Sequence, residues 1–318
     1  MTNLNTRPVT PICSAQDCDW NFDWILPARD GSQFLAHSDD LMERMTARKP
    51  GRTGFDPGAV ELVLNLLTQD CATEAPEVVK LLIQLCHPRS RSLSSIMQVS
   101  PVTMKLLTRF GIRFKMVNVL DICRYYFKKR FSEEPLFTFG LAAKTEDIEL
   151  SNQVIPLSLG FKKSEIQDSL GGPGLYHDYF TSWIQYRKSL IRLIQKDNPP
   201  SVDHKECKSK RKKFHSNLSK SLKVSPQHLF DDEWRLEQMD ILRSKLNRCR
   251  ECLQAYEVWL IELMRKATQL PSFESILREA FAAQARLESE RYCIEEAEEY
   301  VQFQQYLDIY PAPGLWRP

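Results

Sequence analysis

The stretch that most constrains the fold runs from Asp23 to His37. Ile25 and Leu26 are apolar and strand-prone, and Asp30-Gly31 is a turn dipeptide, because glycine takes a positive φ at no steric cost. Phe34 and Ala36 then alternate with Gln33 and Leu35. This pattern predicts a short hairpin that delivers His37 to the start of a helix at Ser38-Asp39-Asp40. A strand with Phe34 on one face must hide that face, and the helix bearing Val79, Leu82 and Ile83 is the expected cover.

Further along, the periodicity is mostly helical. Leu41, Met42 and Met45 share a helical face, and Lys49-Pro50-Gly51 and Asp56-Pro57-Gly58 mark a loop. Val60, Leu62, Leu64 and Leu66 alternate with Glu61 and Asn65, which predicts a strand, although the length also permits a helix. Pro76-Glu77 opens a helix with Val78, Val79, Leu82, Ile83, Leu85 and Cys86 on a wide apolar face, stopped by His87-Pro88. Asn118 is a candidate cap for the next helix, which ends in Lys128-Lys129-Arg130. Gly171-Gly172-Pro173-Gly174 is a loop and not a phosphate cradle: no Lys-Ser/Thr follows it, and Pro173 removes a backbone donor. Leu175–Ile194 reads as a helix with Tyr179, Trp183, Tyr186, Leu190, Leu193 and Ile194 on one face. Two long helices, near Asp231–Gln269 and Ser272–Tyr310, are expected to bury each other as an antiparallel pair across Pro271.

Two of these segments resemble a known family. Asp23-x-x-Leu26 with Asp30-Gly31-x-x-Phe34-x-Ala36-His37, and Leu85-Cys86-His87-Pro88 at the end of its helix, are similar to the opening and the "LCHP" helix of fungal BTB/POZ proteins. Arg113-Phe114-x-Met116 resembles a K-Y-x-M-like signature that keeps a cation beside an aromatic ring, and Glu134–Ala142 resembles the helix after the family's core. The resemblance covers roughly residues 20–160. It implies an α+β fold, a small sheet flanked by helices, followed by an all-α C-terminal region. It also implies a non-catalytic role in dimerisation, partner docking or ubiquitin-ligase assembly. One departure stands out: Leu41–Arg48 lacks the serine and aromatic pair of the family's partner face, so cullin docking and self-association stay open. The expected organisation is a leader at 1–19, a BTB/POZ-like domain at 20–130, a helical extension at 131–200, a basic linker at 201–230 and a helical region at 231–318.

Composition bounds the function classes. With 318 residues, 42% hydrophobic and 26% charged, the chain suits two domains with their own cores. A net charge of +2 gives no global field toward nucleic acid or membrane, so any such argument must rest on a local patch. No secretory signal and no membrane-length apolar run are read. The odd count of 9 cysteines points to reduced thiols and a cytoplasmic or nuclear location.

The candidate sites are few. His37, at the end of the hairpin, reads as a structural histidine fixing the first helix. Lys208, Lys210, Arg211, Lys212 and Lys213 form the one real charge cluster, readable as a nuclear-import signal, an anion patch or a solvated tether. Nucleic-acid contact through 205–223 is the alternative function, but only Phe214 offers stacking within the cluster. His204-x-x-Cys207 and Cys249-x-x-Cys252 make a legitimate tetrahedral ligand set. Against it, Cys249 falls on the apolar stripe of a predicted continuous helix, and 204–207 falls in the predicted linker. No metal, no cofactor and no catalytic residue is therefore expected from the sequence.

Overall fold

In the computed structural model the described residues are 10–11, 23–45, 57–86, 96–174, 176–200, 204, 207–246, 249–289 and 291. The chain divides into two units, Met1–Leu150 and Ser151–Pro318. It is mostly helical, with a small sheet near the N-terminus.

The first unit begins with the predicted hairpin. Strands β2 (Trp24–Pro27) and β3 (Gln33–Ala36) pair antiparallel with Leu26 opposite Phe34, and β1 (Thr10–Pro11) adds to β3 in parallel. Leu26, Phe34 and Ala36 are buried while Gln33 is exposed, as the alternation requires. Helix α1 (Ser38–Met45) follows directly and buries Leu41, Met42 and Met45.

Residues 57–71 correct the strand expected at Val60–Leu66: they form helix α2 (Pro57–Cys71). Leu64, Leu67 and Cys71 are buried at helical spacing, whereas Leu62 and Leu66 are exposed. The leucine run satisfies both periods, and tertiary burial selects the helical one. Pro57 opens α2 at the first helical position, and the bond from Trp24 Nε1 to Thr68 Oγ1, 2.9 Å, ties α2 to β2. Helix α3 (Pro76–Cys86) packs on β3 and places Val79, Leu82 and Ile83 in the same core cluster as Phe34.

Helices α4 (Pro101–Arg113) and α5 (Val117–Lys129) pack on each other. Gly111 allows the approach, since a Cβ there would lie 2.8 Å from Leu120 Cδ2. Arg113 sits over the Phe114 ring at 5.6 Å, so the cation–aromatic pair expected of the signature forms. Asn118 does not cap α5: the cap position is Met116 and Asn118 lies inside the helix. Helix α6 (Pro135–Lys144) completes this core through Phe137, whose ring lies tilted against Phe127 at 4.7 Å.

Helix α7 (Ile148–Ser158) carries the division at Leu150/Ser151, beyond the boundary expected at residue 130. The second unit continues with α8 (Lys163–Ser169), α9 (His177–Lys196), α10 (Lys208–Val224), a 3-10 turn (Pro226–Phe230), α11 (Asp232–Leu246), α12 (Arg250–Thr268) and α13 at 273–289. The α9 face forms as predicted, with Trp183 fully buried and donating to Ser158 Oγ.

Two further expectations are corrected here. Residues 208–224 are not a tether but helix α10, which buries Arg211, Phe214, Leu218 and Leu222 against its neighbours. The helix expected at 231–269 is broken into α11 and α12, which pack on each other. Asp231 and Ser272 cap α11 and α13 as their chemistry predicts. Of the α13 stripe, Ile276 is buried and Leu287 exposed, and Phe273 packs on Tyr179 and Tyr186 of α9. The distal half of that predicted helix lies outside the described residues.

Candidate metal centre

The break between α11 and α12 has a chemical consequence. Cys249 is the N-cap of α12, with φ −131° and ψ 88°, so its side chain is freed from the helical spiral and meets that of Cys252. Likewise Cys207 is the N-cap of α10, and a turn bond from Cys207 N to His204 O, 3.2 Å, brings His204 beside it. The packing of α10, α11 and α12 then carries both pairs to one place. One ligand atom from each of His204, Cys207, Cys249 and Cys252 lies within 4.8 Å of all the others. Both reasons for keeping the pairs apart are removed: Cys207 opens a packed helix, and Cys249 stands at the N-cap of α12 instead of within a continuous helix.

The surroundings are ordered for this cluster. His204 Nδ1 lies 3.1 Å from Cys249 Sγ, while its Nε2 lies 3.5 Å from a carboxylate oxygen of Glu251. Arg211 Nη2 donates to the carbonyl of His204 at 3.5 Å. The Cys252 backbone amide donates to Cys249 Sγ, and this bond and those from the neighbouring thiols hold the Cys249 thiol below its ordinary pKa. Burial pushes the Cys252 thiol up to about 12, reinforced by Cys249 and Cys207. Three sulfurs in contact cannot all ionise without a compensating cation.

The hairpin residues serve a structural purpose. Gly31 takes φ 83°, and Asp30 Oδ1 accepts from Ser32 N at 2.9 Å to close the turn. Asp23 accepts from both the backbone N, at 2.8 Å, and the hydroxyl of Ser38, which ties the start of β2 to the start of α1. Burial alone would raise the Asp23 carboxyl, but the bonds from Ser38 outweigh it and the pKa lies below the ordinary value. His37 is buried, and its carbonyl accepts from Leu41 N. Leu85 and Cys86 join Phe34 in the core, whereas His87 and Pro88 lie outside the described residues.

The basic cluster separates by exposure. Lys208, Lys210, Lys212 and Lys213 are exposed, and Arg211 is buried. The sequence signal that distinguishes a helix from a tether was present in Phe214, Leu218 and Leu222, spaced i, i+4, i+8. No described helix is long and apolar enough to cross a membrane. No family model, curated protein or solved structure matches this chain.

Proposed function

We propose that the protein is a non-catalytic interaction protein whose N-terminal unit is a BTB/POZ-like docking module. The observation that carries this reading is the use made of the opening motif: Asp23, Asp30, Gly31, Phe34 and His37 each support the hairpin-to-helix junction. That junction presents outer positions without spending them on the core. Ile25 on β2 and Leu62 and Leu66 on α2 are exposed apolar side chains on two elements that pack together. The partner is another protein or a second copy of this chain. Sedimentation of the full chain, with and without Leu62→Lys, tests self-association. Affinity capture with the same pair tests other partners, a cullin-type scaffold included. Loss of assembly or of specific partners in Leu62→Lys supports the reading. A strictly monomeric chain with no partner sensitive to that change overturns it.

A second reading, contact with nucleic acid, is favoured by a specific feature of α10. Its exposed lysines project from an ordered helix that contains no acidic residue. Such contact predicts binding that falls steeply with salt. A flat salt dependence removes it.

A further inference from the structure

We propose that His204, Cys207, Cys249 and Cys252 hold a zinc ion as a structural centre of the C-terminal unit. A zinc ion binds sulfur at about 2.3 Å and imidazole nitrogen at about 2.0–2.1 Å in a tetrahedron, which requires donor–donor separations of roughly 4 Å or less. The four donors here fall within 4.8 Å of one another before any ion draws them together. Three thiolates and one imidazole are soft and borderline ligands that select zinc over calcium or magnesium. All four positions are filled by protein, which leaves no open site for substrate and makes the centre structural.

The electrostatics of the fold agree with this occupant. Zinc with three thiolates and a neutral imidazole carries a net charge of about −1. Cys207 and Cys249 stand at the N-termini of α10 and α12, of 17 and 19 residues, whose dipoles favour negative charge. α10 then opens with Lys208, Lys210 and Lys212 and has no acid in its first turn. Positive charge at a helix N-terminus is unfavourable by itself, and a metal–thiolate anion beside it reverses the sign. The Glu251 carboxylate, 3.5 Å from the far nitrogen of His204, stands where a carboxylate commonly meets a metal-bound histidine. Arg211 holds the turn through the His204 carbonyl.

Binding is a ligand exchange with no electron transferred: each thiol gives up its proton to solvent as its sulfur bonds the metal. The ion closes α10, the 3-10 turn and α11 into one loop between Cys207 and Cys249, which restricts the unfolded chain.

The test uses the full chain purified without chelator. Elemental analysis is expected to find about one zinc per chain. Cys207→Ser and Cys252→Ser should lose it, His204→Cys should keep it through a four-thiolate set, and Cys123→Ser in the other unit should keep it. Glu251→Gln retains all four ligands and should weaken zinc affinity about ten- to a hundred-fold. If the serine variants aggregate, the unaltered chain still decides the question. Reconstituted with cobalt(II), it should show tetrahedral d–d bands and thiolate charge-transfer absorption, and chelation should make Cys207, Cys249 and Cys252 open to alkylation together. Three results overturn the proposal: absence of bound metal and of the cobalt spectrum in the intact chain, a disulfide joining any two of these cysteines in the purified protein, or full zinc content in Cys252→Ser.

Discussion

Phe34 and Asp147 show how single residues set the stability of the first unit. Phe34 is buried, and truncating such a ring costs about 3–5 kcal/mol through lost transfer energy and a residual cavity. Phe34→Ala should therefore unfold the N-terminal unit, while Gln33→Ala, exposed on the opposite face, should change stability by less than about 0.5 kcal/mol. Chemical denaturation of the pair checks this. Asp147 caps α7 through Leu150 N at 3.0 Å and pairs with Arg124 at 2.7 Å. Burial raises its carboxyl, yet the Leu150 and Arg124 bonds outweigh burial and hold it below its ordinary value. A depressed folded pKa stabilises fully above the ordinary aspartate range, near pH 3.9, and that contribution is lost as pH falls through the folded value. Asp147→Asn should lower stability at neutral pH and flatten the acid limb of the melting temperature against pH. An unchanged acid limb would show that the Arg124 pair contributes nothing.

At the scale of elements, α10 carries the clearest lesson. Its lysines dominate the sequence impression, but Leu218 at 2% exposure and Leu222 at 1% decide its place. Leu218→Ala should destabilise the C-terminal unit by about 2–5 kcal/mol, and Lys212→Ala or Lys213→Ala by less than about 0.5 kcal/mol. If all three variants melt alike, α10 is the solvated segment that its charge suggests. Helix α2 teaches the complementary point: its leucines fit periods of two and of 3.6 residues, so only the partner surface resolves the ambiguity. Caps are legible because they are local. Asp231 and Ser272 each bond the amide three residues on, as their side chains dictate, whereas the helix after Met116 starts one residue before Asn118 and places it inside.

At the scale of the molecule, the two units should respond to separate perturbations. Chelation, followed by limited proteolysis, is expected to open the chain within 151–318 and to spare 1–150, while Phe34→Ala should do the reverse. Uniform cleavage in both cases would mean that the units unfold as one. Whatever depends on near neighbours was determined by the sequence itself: the Asp30-Gly31 turn, the Phe34 alternation, the α3 and α9 faces and the caps at Asp231 and Ser272. The choice of period for α2, the division at Leu150/Ser151, the break before Cys249 and the meeting of His204 and Cys207 with Cys249 and Cys252 were decided only by tertiary structure. Turns and caps are fixed by bonds spanning a few residues, and spacing records those. A four-residue cluster drawn from two distant segments depends on how the intervening helices bury their apolar faces against one another, and no local pattern records that packing.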